Sequence, residues 1–116
     1  MQSRKFDLEE RLIDFGVLII EASEKLPKTA AGKHLADQLL RSGTAPALLY
    51  GEAQAAESKK DFIHKMKLAL KELRETSINL RMLSKAKMYS DENLVGEARQ
   101  LVAIFQKSID TAQGGT

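Results

Sequence analysis

The nearest this sequence comes to a reactive constellation is a pair of histidines, each three residues from an aspartate: His34-x-x-Asp37 and Asp61-x-x-His64. Four-helix bundles build dimetal sites from inward carboxylates and Glu-x-x-His pairs, so the spacing invites a metal reading. Helix geometry opposes it. His34 lies about 20 residues before the turn that joins the second and third helices, and His64 just after it. At ~1.5 Å per residue the two pairs stand about 30 Å apart in one chain. Both histidines are therefore read as surface residues, and no metal or cofactor is expected. The absence of cysteine excludes thiolate catalysis and cysteine-held zinc or iron–sulfur centres. Neither histidine has a plausible serine partner for a triad, and no G-x-x-x-x-G-K-[ST] loop is present. A non-enzymatic protein is expected.

Charge offers a second kind of chemistry. Between Glu57 and Met88 nine Lys and Arg face four acids, a local balance of +5, while the whole chain carries only +2. Residues 1–26 and 90–116 are net acidic. Clusters of this kind bind phosphate backbones through counterion release. Lys59, Lys60, Lys65, Lys67, Lys71, Arg74 and Arg81 are the candidate phosphate contacts. The competing reading is a solvated helix face with pairs such as Lys71 with Glu75. Aromatic residues are scarce and mostly on core-facing positions, so any recognition should follow the backbone rather than stack on bases.

A third group is polar but close to apolar seams: Arg41, Glu52, Glu72, Glu75 and Thr76. Pairing of arginine with carboxylates at a helix or subunit interface would satisfy buried members of this group and fix register. They are expected to be a structural network rather than a ligand site.

The elements that must position these residues are all helical. One domain spanning residues 1–116 is expected, with helices at about 6–26, 29–56, 58–87 and 91–112. In the first, Leu8, Leu12, Phe15, Ile19, Ala22 and Leu26 make one stripe, and Phe6, Ile13, Val17 and Ile20 a second beside it. Pro27 closes it. The second starts near Thr29 and carries Leu35, Leu39, Gly43, Ala47 and Tyr50 on its apolar face. Pro46 stands well inside, where it should kink or interrupt the helix. Ser58-x-x-Asp61 resembles a capping box for the third helix, and heptad spacing runs from Phe62 to Leu83. Tyr89-Ser90-Asp91 supplies the next cap. In the fourth helix Leu94, Ala98, Leu101, Phe105, Ser108 and Ala112 line one seam and Val95, Val102 and Ile109 another. The doubled stripes suggest burial by a second subunit, with a thicker intrachain core as the alternative. The tail from Gln113 to Thr116 should fray. The fold expected is an all-α, antiparallel up-down-up-down four-helix bundle with its second helix kinked near Pro46. No apolar run is long enough to span a membrane, and the N-terminus does not read as a secretory signal, so a cytoplasmic location is expected.

Arg41-Ser42-Gly43-Thr44, Tyr50, Glu52-Ala53, Ser58-Lys59-Lys60-Asp61-Phe62 with Lys65, and Lys71-Glu72 followed by Glu75-Thr76 and Leu80 resemble the bacterial 23S rRNA intervening-sequence (S23) family. That family is related to the accessory variability protein of diversity-generating retroelements. The resemblance implies a four-helix bundle that assembles as a homopentamer, and a connection to RNA or a reverse-transcriptase-type protein partner. Most members of that family have no established activity. The chain departs from the family pattern at Ala45-Pro46-Ala47-Leu48-Leu49, where serine, glycine and asparagine are usual, and at Asn79, where an aromatic is usual. A protein-interaction scaffold without nucleic-acid affinity is the alternative function.

Overall fold

A computed structural model describes residues 7–114, and they form four helices without a strand among them. These are α1 (Leu8–Glu24), α2 (Ala30–Gln54), α3 (Lys59–Lys85) and α4 (Glu92–Ala112). Phe6, expected at the start of the first helix, and the last two residues of the tail lie outside the described residues.

Each helix begins where a short polar side chain can take an orphan backbone N–H. Asp7 accepts from Glu10 N at 3.1 Å, and Thr29 from Gly32 N at 3.1 Å. Ser58 accepts from Asp61 N at 3.0 Å, and Asp91 from Leu94 N at 3.0 Å. At the end of α3, Lys87 adopts a left-handed conformation with φ 61°. Lys87 N then donates to the Ser84 carbonyl and Met88 N to the Leu83 carbonyl, both at 3.0 Å. This closes the helix as a Schellman motif, at a position where glycine is usual.

The pairs that pack along their backbones are α1 with α2, α2 with α3, and α3 with α4. Leu12, Phe15, Ile19, Leu39, Met66, Leu73, Leu80, Leu101, Phe105 and Ile109 fill the space between them. The Tyr50 ring meets Phe105 edge-on, with centroids 6.0 Å apart. The circuit is closed between α1 and α4 by polar groups: Arg11 donates to both carboxylate oxygens of Glu97, at 2.7 and 2.8 Å, and to Gln100 at 2.8 Å. That bond holds the Glu97 carboxyl below its ordinary range and raises the Arg11 guanidinium.

Packing decides how Pro46 and the doubled stripes are accommodated. Pro46 does not interrupt α2, which runs through it. Pro46 is buried, and the helix continues through it despite the lost hydrogen bond. The doubled stripes have different fates in the two helices. In α4, Ile109 is buried while Val95 and Val102 pack against the core, so the second seam is absorbed within the chain. In α1, Ile13, Val17 and Ile20 remain 42–47% exposed.

Candidate nucleic-acid interface

The seven cations singled out by sequence all stand on α3, but helix length spreads them. Lys59 and Arg81 are separated by about 33 Å along the axis at ~1.5 Å per residue. They are not one site. Lys65 turns toward α2, where its Nζ donates to Glu52 Oε1 at 3.0 Å, which raises the lysine pKa. Lys59, Lys60, Lys67 and Lys71 are exposed and form no salt bridge among the described residues.

Arg74 and Arg81 lie toward α4. Arg74 Nη2 donates to Gln106 Oε1 at 3.1 Å, a neutral partner that leaves its charge uncompensated. Gln106 in turn donates to Asp110 Oδ1 at 3.1 Å. Between the helices runs a cavity of about 270 Å³ lined by Arg74, Ser77, Ile78, Arg81, Arg99 and Val102. A second, of about 530 Å³, shares Arg81 and Arg99 and extends to Lys85 and Glu92. Arg99 was not among the sequence candidates. It shares a net-acidic helix with one other base, Lys107, and its only sequence signal is its place three residues before Val102 on the stripe that packs toward α3.

The expected polar network is gathered only in part. Arg41 Nη1 donates to Glu72 and Nη2 to Glu75, each at 2.8 Å, which raises the guanidinium pKa through both bonds. Glu75 is therefore taken by Arg41 from the next helix, not by Lys71 of its own. Thr76 is fully buried and donates to Ser42 Oγ at 2.8 Å, with the Glu72 carbonyl 2.9 Å away. Glu52 stands apart with Lys65. The bridge is also less buried than the sequence suggested: the Arg41 side chain is 52% exposed, because it crosses the outer edge of the α2–α3 groove. Below it, Asn79 Nδ2 donates to the Leu35 carbonyl at 3.2 Å, while the buried Oδ1 has no partner among the described residues. Asn79 thus stands where an aromatic was usual, and Leu49 packs against the core.

His34 and His64 are both exposed, and no three His, Asp or Glu side chains gather as a metal-binding group among the described residues. No described helix is long and apolar enough to cross a membrane.

No curated protein matches the chain. Among solved structures it is similar to a Bacteroides thetaiotaomicron protein of unknown function from the S23 ribosomal protein family. The two share 26% identity with a TM-score of 0.82, covering 89% of this chain and 98% of that one. The model for the 23S rRNA-intervening sequence protein family matches residues 4–110. With that match spanning nearly all of the sequence, and with the four-helix architecture in place, the chain belongs to the 23S rRNA-intervening sequence protein family.

Proposed function

We propose that this is a non-enzymatic, cytoplasmic helical-bundle protein that self-associates and binds RNA, alone or within an RNA–protein complex, through its α3 side. The observation that carries the reading is how charge is distributed after folding. Arg41 reaches over from α2 and engages two of the acids on α3, Glu72 and Glu75, while six of the seven candidate cations form no salt bridge among the described residues. The outward field of α3 is thus more positive than its sequence balance suggests, and repetition around an oligomer concentrates it. A reverse-transcriptase-type partner would meet the same surface as part of a complex with RNA.

Self-association is supported by the uncovered apolar stripe of α1, together with Leu40 and Leu48 on α2. The family resemblance favours a pentamer. The same stripe also supports the second reading, a protein-interaction scaffold without nucleic-acid affinity. Titration of labelled RNA at low and moderate salt separates the two. RNA binding predicts an affinity that falls steeply as salt rises. No shift at low salt would leave the scaffold reading in place. Light scattering after size exclusion should report a pentamer, and a monomer would remove self-association from the proposal.

A further inference from the structure

We infer that the trough between α3 and α4, centred on Arg81 and Arg99, is where the phosphodiester backbone of a single-stranded nucleic acid lies. This rests on the RNA reading above and names its site. It moves the site off the lysine-rich start of α3 and onto a surface made by two helices.

Three observations support it. First, Arg81 and Arg99 line the same two adjoining cavities, so two guanidinium groups from different helices share one concave surface. Neither has a salt-bridge partner among the described residues. Like charges brought together by packing repel each other, and an anion between them relieves that repulsion. Guanidinium is also the group whose fork matches phosphate oxygens in pairs.

Second, the trough has length. Arg74 stands at one end and Lys85 at the other, about 16 Å apart along α3 at ~1.5 Å per residue. A lone phosphate group would occupy only part of that run, whereas a polymer with charge at every step would follow it. The acids nearby lie at its margins: Glu92 lines the far cavity, and Asp110 is held through Gln106 beyond Arg74.

Third, the floor is apolar where it is exposed. Ile78 is 53% exposed and Val102 is partly exposed. They offer a surface for sugars and base edges without an aromatic to stack on. Binding there follows the backbone and tolerates sequence. The trough is lined by α3 and α4, whereas the exposed apolar stripe stands on α1 and α2. Assembly through that stripe leaves it open.

The test is fluorescence anisotropy with fluorescein-labelled oligouridylate, using the full chain. The double variant Arg81→Ala/Arg99→Ala should weaken binding roughly tenfold at low salt and flatten the salt slope by about 1.4, the share of two single-strand phosphate contacts. Lys28→Ala/Lys33→Ala removes the same charge at the start of α2 and should change affinity less than about twofold, because both lysines stand outside the trough. Thermal melting and light scattering of both variants should match the parent, since none of the four side chains makes a bond that holds the fold. If the parent binds and the arginine variant binds equally well, the trough is wrong and the RNA reading stands. If the parent does not bind at low salt, the RNA reading falls and the trough with it. If polyglutamate competes as well as unlabelled oligouridylate, the trough takes acidic protein segments and the phosphodiester assignment is overturned.

Discussion

Along α1 and α2 the backbones meet through small residues. A Cβ placed on Gly16 would already reach van der Waals contact with Thr44 and the Gly43 carbonyl, at 4.0 Å. On α3 and α4 the buried residues are large: Leu73, Leu80, Leu94, Leu101 and Phe105 all belong to the core. The outer surfaces differ as well. On α1 and α2, Ile13, Val17, Ile20, Leu40 and Leu48 are exposed, Leu48 by 71%. Between α3 and α4 runs a trough lined by arginines. One surface is thus apolar and the other cationic, the contrast on which the proposed self-association and RNA binding rest.

The strongest way to break the comparison is to charge the apolar face. Val17→Asp/Leu48→Asp should reduce the proposed oligomer to monomers by light scattering while the helical circular dichroism is kept, because both side chains are uncovered in the single chain. RNA affinity should fall with it, through lost multivalency rather than lost contacts. An unchanged mass would show that another face carries self-association.

Next comes the close approach itself. A Cβ on Gly43 would lie 2.6 Å from two carbons of the buried Ile19 side chain. Gly43→Ala should cost about 1–3 kcal/mol in denaturant unfolding, the usual range for overpacking. Gly16→Ala meets only ordinary contacts and should cost much less, which makes the pair a direct reading of where the helices touch.

The two halves are joined on one side by the α2–α3 seam and on the other by Arg11 with Glu97. Thr76→Val tests the first. It removes a buried hydroxyl that bonds Ser42, and about 1–2 kcal/mol of stability should go with it. Acid titration tests the second. Arg11 lowers the Glu97 pKa in the folded state, so the stabilisation is complete above the ordinary carboxylate range and is lost as pH falls through the lowered value. The stability margin of the parent over Glu97→Gln should accordingly be widest near neutrality and shrink in acid, followed by thermal melts. The smallest effect is expected at Lys87. Glycine there relieves a left-handed backbone and should raise stability by about 0.5 kcal/mol.

Four helices, three of their four caps and most of the core were legible as periodicity and short polar side chains. Thr29, Ser58 and Asp91 announce themselves because capping is a local bond between near neighbours. The candidate site was legible only in part. Arg74 and Arg81 could be named from the charge run, but Arg99 could not, since its significance comes from a neighbour some twenty residues away. Arg41 could be paired with carboxylates in principle, yet its exposure and its hold on both Glu72 and Glu75 depend on where α2 crosses α3.

Rod-like helices with apolar stripes, no cysteine chemistry and a basic third helix are properties of the chain, because turn spacing, capping and charge are written within a few residues. Which stripe is covered, where Pro46 sits, and which cations share a hollow follow from the azimuth at which each helix meets its neighbours. That azimuth is set by the summed fit of many distant side chains, so identical-looking stripes on α1 and α4 end in solvent and in the core respectively.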